Sequence, residues 1–319
     1  MVEASAFPSA HNPLGFGCAY ITGGFETRAS ARLLHAALDA GITYFDTAPM
    51  YGRGTSEAVI GEAFKGRRDR VAIATKAGIA RPRLSLKTKL LRAVATPVRH
   101  LLPGLSRAAA SSLYGGGRPA NRVYTPECVR LSLEESLRLL KTDYVDVLLL
   151  HECEADDITE PLLETLSGLV AEGKVLKVGI GSSVAAIETI DQRHPETFDV
   201  YQRTWSVLKT NELLFPRKQN NFHRAILEAL GAINTLLASD PAFAKKVSHD
   251  AGIDRKIDRE LAKALLGASI SVNPRGVTLF GSRRLARVEA YAREAATPAN
   301  LARGAALLRI YRAATQHPD

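Results

Sequence analysis

Short apolar, β-branched runs alternate with helical stretches along most of this chain, and no other feature constrains its fold as strongly. The runs fall at 14–19, 42–45, 71–75, 145–150, 175–180, 198–202, 221–226 and 277–280. Segments of this length and composition read as strands of a parallel sheet whose faces are covered by helices. Helical periodicity fills the intervals at 28–40, 56–64, 126–140, 160–172, 184–192, 258–266, 285–295 and 299–314, with Gly41 as a stop signal for the first. Repeated strand–helix units with no second domain-sized block predict an α/β fold, a single (β/α)8 barrel over residues 1–319, rather than an open doubly wound sheet. Such a barrel commonly needs roughly 250 residues before insertions.

Four ionisable residues stand just past the ends of these runs. Asp46 follows 42–45 with Tyr51 five residues on, Lys76 follows 71–75, and His151 follows 145–150. A closed barrel gathers its strand ends around one mouth, so residues far apart in sequence become neighbours there. The arrangement therefore predicts one pocket holding a carboxylate, a phenol, an ammonium group and an imidazole. Taken singly, each has an ordinary structural use; a strand-end aspartate, for example, often caps the next helix. Their joint occurrence at strand exits points to a site.

Composition narrows the partners. The net charge of +9 invites a nucleic-acid reading, yet eleven Lys and Arg and no acidic residue fall between 70 and 126, more than the whole-chain excess. The basicity is local to a long interval between the third strand and its helix. No apolar stretch approaches the ~20 residues that span a bilayer. The N-terminus lacks the basic start and apolar core of a secretory signal, and three cysteines, Cys18, Cys128 and Cys153, have no metal-ligand spacing. The expectation is a cytoplasmic protein with no metal, no nucleic-acid partner and no membrane partner. Within the basic interval, Leu84, Leu86, Leu90, Leu91 and Val94 interleave with Lys87, Lys89 and Arg92, an amphipathic pattern that ends at Pro103-Gly104. Residues 77–125 are expected to form a lid at the catalytic face, with a surface excursion packed on the barrel as the alternative.

The run Tyr44-Phe45-Asp46-Thr47-Ala48-Pro49-Met50-Tyr51-Gly52, followed in order by Thr75-Lys76 and Leu149-Leu150-His151, resembles the aldo-keto reductases, NAD(P)-dependent oxidoreductases built on a TIM barrel. The resemblance covers about 14–295 and is supported by Gly173-Lys174-Val175, Val178-Gly179-Ile180 and Gly281-Ser282-Arg283-Arg284-Leu285-Ala286-Arg287. Gly15-Phe16-Gly17-Cys18-Ala19 is most similar to the bacterial aldose dehydrogenase branch. What the resemblance implies is hydride transfer between a nicotinamide and a small carbonyl or alcohol substrate. Tyr51 would be the general acid/base, Lys76 would lower its pKa, Asp46 would keep the lysine charged, and His151 would orient the substrate oxygen.

The same resemblance implies cofactor contacts from Asp46, Ser182, Gln202, Gly281, Ser282, Arg283 and Arg287. The arginines favour NADP through its 2′-phosphate, with NAD left open. Three features depart from the family's usual pattern: Gly181-Ser182 replaces Ser-Asn after the fifth strand, Tyr291 stands where an Asn commonly touches adenine, and the usual Tyr-Ser-Pro-Leu segment after Gln202 is missing. Two alternatives stay open, a dehydrogenase of a free aldose or polyol and a low-turnover cofactor-binding regulatory module. The sequence does not give the oligomeric state.

Overall fold

The computed structural model describes residues 12–82, 122–209, 214–254 and 258–316. Eight strands, β1 (Leu14–Gly17), β2 (Tyr44–Asp46), β3 (Ala72–Ala77), β4 (Val145–His151), β5 (Val175–Gly181), β6 (Val200–Thr204), β7 (Gln219–His223) and β8 (Val277–Phe280), close in that order into one barrel. Every neighbouring pair is parallel, including the closing pair β1 and β8. The chain thus folds as the (β/α)8 barrel that its alternation predicts.

The described helices wrap the outside: α1 (Thr27–Asp39), α2 (Ser56–Ala63), α3 (Pro126–Leu140), α4 (Glu160–Ala171), α5 (Val184–Arg193), α6 (Ala229–Ser239), α7 (Pro241–Asp250), α8 (Asp258–Val272), α9 (Leu285–Glu294) and α10 (Pro298–Gln316). Helices α6 and α7 were not anticipated from periodicity. The break between them is nonetheless written locally, since the Asp240 carboxylate accepts from the Phe243 N–H at 2.9 Å and Pro241 occupies the first turn.

Strand boundaries shift by a few residues from those expected, because pairing with neighbours rather than apolar content decides where a strand ends. β3 runs on through Lys76 to Ala77, β6 starts two residues late and continues to Thr204, and β7 is Gln219–His223 rather than 221–226. Polar Asn220 and Asn221 are tolerated in β7 because both are satisfied. Asn220 donates to the Phe215 carbonyl at 3.0 Å, and Asn221 donates to the Tyr44 hydroxyl at 2.9 Å inside the barrel.

Side chains of a strand alternate between the two faces of the sheet, and here one face is the lumen. Tyr44, Ala72, Ala74, Val147, Leu149, Val200, Val277 and Leu279 form a buried cluster separate from the larger core between strands and helices. They fill the lumen, so the barrel is a packed core and not a pore. Packing there is tight enough that a Cβ on Gly15 would lie 2.6 Å from the Leu279 side chain. Two residues beyond Tyr44, Ala74, Leu149 and Val200 stand Asp46, Lys76, His151 and Gln202. Period two turns all four inward, one layer nearer the mouth.

Of the interval 77–125, residues 83–121, including the expected amphipathic stretch, lie outside the described residues. No helix among the described residues is long and apolar enough to cross a membrane.

Candidate active site

Asp46, Lys76 and Gln202 form the floor of the mouth. The Lys76 ammonium donates to Asp46 Oδ1 at 2.5 Å and to the Thr47 carbonyl at 2.8 Å, and Gln202 Nε2 donates to the same Asp46 oxygen at 3.0 Å. All three side chains are buried. A buried carboxylate with two donors is satisfied, and it anchors the lysine and the glutamine together.

Tyr51 reaches this floor from a tight turn rather than from a strand. After β2 the Thr47 N–H pairs with the Ala74 carbonyl at 2.8 Å, and the Tyr51 N–H with that of Ala48 at 3.0 Å, leading into a kinked turn over Tyr51–Gly54 in which Gly52 and Arg53 are left-handed. Gly52, at φ +57°, has no room for a side chain, since a Cβ would sit 1.9 Å from the Ile21 carbonyl oxygen. The turn brings the Tyr51 ring centroid to 4.9 Å from Lys76 Nζ and 6.2 Å from the His151 ring, edge to face. The four ionisable residues therefore meet in one place. His151 Nδ1 is buried and has no hydrogen-bond partner among the described residues.

Burial pushes the Tyr51 phenol above its usual range, and Lys76, which pulls it down, does not overcome that. Lys76 lowers the phenol's pKa as expected, but desolvation of the phenolate outweighs the cation beside it. Burial also works against the charge on Lys76, but Asp46 and Tyr51 outweigh it and hold the ammonium above the ordinary lysine value. His151 is held well below the usual histidine range by burial first, then by Lys76 and by His223. At neutral pH the site presents a protonated phenol, a charged ammonium and a neutral imidazole.

His223, at the end of β7 opposite Thr204, faces the same mouth. Burial, Lys76, Arg224 and Lys209 bring its pKa down to about 3. Its link to the site lies in strand register, since it stands two residues past lumen-facing Asn221. Trp205, just past β6, is fully buried and stacks on Phe222 at 5.6 Å. Tyr291 packs edge to face on Phe280 at 5.7 Å within the core.

The remaining expected cofactor residues fall into two groups. Ser182, just past β5, donates its hydroxyl to the Cys153 carbonyl at 2.8 Å. The Gly281–Arg284 loop passes so close to β1 that a Cβ on Gly281 would lie 2.8 Å from the Gly17 carbonyl oxygen. Ser282 accepts from the Arg284 N–H at 3.1 Å, Arg283 pairs with Glu26 at 2.7 Å, and Arg287 lies in the first turn of α9. Among the described residues the first turn of α9 has no side-chain cap.

A TIM barrel whose mouth joins Asp, Tyr, Lys and His in this order defines the class, and sequence comparison places the chain within it. Residues 13–293 match the Aldo/keto reductase family, so the chain belongs to that family. Among curated relatives, the D-threo-aldose 1-dehydrogenase of a Pseudomonas species is 33% identical over 190 residues, 57% of this chain and 53% of that protein. The chain spans about half the length of the curated relatives it matches. Among solved structures, the glycerol dehydrogenase AKR11B4 of Gluconobacter oxydans superposes with a TM-score of 0.66 at 18% identity, covering 96% of this chain and 93% of that one. An aldo-keto reductase of Klebsiella pneumoniae, solved in complex with NADPH, gives a TM-score of 0.61 at 22% identity over 89% and 86% of the two chains. These structural likenesses support the fold.

Proposed function

We propose that this protein is an NADP(H)-dependent oxidoreductase interconverting a small carbonyl compound and its alcohol, with Tyr51 as the acid/base. The reading is carried by the convergence of the Tyr51 phenol, the Lys76 ammonium and the His151 imidazole above the Asp46 carboxylate. Reduction of a carbonyl builds negative charge on its oxygen, which a positioned proton donor and nearby positive charge must meet. Tyr51, kept protonated by burial, gives the proton; Lys76 steadies the phenolate left behind; Asp46 fixes Lys76. His151, uncharged, offers a hydrogen bond to the substrate oxygen and so sets its angle.

The cofactor reading is supported by Gln202, by the Gly281 loop and by the start of α9. Gln202 ties its amide N–H2 to Asp46 while its Oε1 is buried and has no partner among the described residues, an acceptor suited to a carboxamide N–H. The close Gly281 backbone and the uncapped start of α9 suit a phosphate. Arg283 and Arg287 add guanidinium groups for a 2′-phosphate, which would displace Glu26 from Arg283. A nicotinamide, when bound, supplies or accepts the hydride. Titrating the protein with NADPH and NADH while following nucleotide fluorescence tests the reading. Selective NADPH binding supports it, and equal or absent binding rejects the NADP assignment.

A free aldose is the second substrate reading. It is favoured by the Gly15-Phe16-Gly17-Cys18-Ala19 segment and by the similarity to a protein named as an aldose dehydrogenase. Comparing initial rates for aldehydes with NADPH against aldoses with NAD separates the two.

A further inference from the structure

The interval between β3 and α3 is rooted on a short antiparallel contact, Ile79 opposite Arg122, with the Val123 N–H donating to the Gly78 carbonyl at 2.9 Å. Both legs of this root reach sideways into the loops that carry the site. On the outgoing leg, Arg81 donates to the Gly54 carbonyl at 2.8 Å and to the Pro49 carbonyl at 3.3 Å. These two carbonyls bracket Tyr51. The same guanidinium pairs with Glu57, whose side chain is wholly buried and whose other oxygen accepts from the Thr75 hydroxyl at 2.6 Å. Thr75 directly precedes Lys76 in β3.

On the returning leg, the Tyr124 hydroxyl donates to the His151 carbonyl at 2.5 Å, and Arg122 donates to the carbonyl of Glu152. Glu152 sits at φ +59°, a left-handed conformation that non-glycine residues rarely adopt and that surrounding contacts must hold. Tyr124 is itself seated firmly, since a Cβ on Gly78 would lie 2.1 Å from its ring. Outer packing alone would not call for this pattern. A wholly buried carboxylate is costly to desolvate unless directed hydrogen bonds compensate, and the donors here end on carbonyls beside Tyr51 and His151.

We propose that Arg81 and Tyr124 are positioning residues for the reaction proposed above. Arg81, held by Glu57, fixes the turn that carries Tyr51, and Tyr124 fixes the backbone at His151. One pair of strand-like legs thereby sets the separation between the acid/base phenol and the imidazole that orients the substrate. The inference rests on the functional reading of Tyr51 and His151.

The test compares Arg81→Met, Arg81→Lys and Tyr124→Phe with Arg303→Met, which removes an ion pair to Glu260 at 2.7 Å, remote from the mouth. Steady-state rates with NADPH and a panel of aliphatic and aromatic aldehydes are read beside NADPH affinity and hydrogen exchange of peptides spanning 49–56 and 150–154. Misplacing a reacting group by about 1 Å costs on the order of 10²-fold. Arg81→Met is accordingly expected to lower kcat per folded molecule by about 10²-fold with NADPH affinity unchanged, and Arg81→Lys to restore part of the loss. Tyr124→Phe is expected to lower kcat by about tenfold. Exchange should quicken at the Tyr51 and Thr55 amides in Arg81→Met and at the Glu152 amide in Tyr124→Phe, with Arg303→Met changing none of these readouts. Unchanged exchange at 49–56, or full kcat in folded Arg81→Met, overturns the proposal. Tyr51→Phe separates the two readings: if it keeps full turnover, the acid/base assignment fails; if it is inactive while Arg81→Met turns over normally, only the positioning role fails.

Discussion

Gln202 and Asp46, 156 residues apart in sequence, are joined by a 3.0 Å hydrogen bond to the same carboxylate oxygen that accepts Lys76. The link crosses the mouth from β6 to β2, so Gln202 and Lys76 share one anchor. Removing the charge should therefore disturb both. In Asp46→Asn, Lys76 is left buried without its counter-charge, and breaking a buried pair by removing one partner costs about 3–5 kcal/mol. Urea denaturation is expected to show a loss near the lower end of that range, and kcat should fall together with NADPH affinity. A variant as stable as the parent would mean that the pair does not hold the floor.

Tyr51→Phe keeps the ring and deletes only the hydroxyl. If the phenol is the proton donor, kcat should fall by about 10²–10⁴-fold, the usual worth of a positioned acid or base. Because the ring still packs beside His151, NADPH affinity and melting temperature should stay close to the parent values. Retained turnover in a folded variant would remove Tyr51 from the reaction.

Direction of reaction should respond differently to pH. Burial raises the Tyr51 phenol above its ordinary value, so the protonated form that the proposed reduction requires persists through neutral and mildly alkaline solution. Reductive kcat should be flat between about pH 6 and 9, whereas alcohol oxidation needs the phenolate, whose fraction grows about tenfold per pH unit below the pKa. Oxidation rates should accordingly climb with pH over that interval. A reductive rate that falls from about pH 8 would indicate a phenol titrating low, as the lysine alone would have made it.

The strand count, their parallel sense and the convergence of Asp46, Tyr51, Lys76 and His151 were legible in the sequence, because apolar runs and strand exits are local signals and barrel closure does the rest. What was not legible depends on magnitude or on long-range pairing. The sign of the Tyr51 shift is a contest between desolvation and a nearby cation, and sequence reports the cation but not the depth of burial. The Gln202–Asp46 bond follows from β6 being in register, with Gln202 two residues beyond lumen-facing Val200, and the later start of β6 was set by pairing with β5 and β7. Glu57 reads as an ordinary first-turn helix residue, and only the returned path of Arg81 reveals its partner.

Two half-buried histidines make stability depend on pH in a defined direction. His223 is brought from an ordinary value of 6.5 to about 3, and His151 is also well below that ordinary value. In the unfolded chain both bind a proton near pH 6.5, whereas in the folded protein they stay neutral; over this window unfolding takes up protons. Stability therefore holds above about pH 6.5 and declines as pH falls toward the folded pKa, with each histidine contributing a slope of up to about 1.4 kcal/mol per unit. Replacing His223 with Gln removes one of the two protons without opening a large cavity. Urea unfolding at pH 7.5 and pH 5 should show the variant losing less stability on acidification than the parent, by roughly 1–2 kcal/mol. Carboxylates titrate alike in both proteins, so the difference isolates the histidine. Equal losses would mean that His223 is charged in the folded state, and the mouth of the barrel would then hold a cation facing Lys76 instead of a neutral ring.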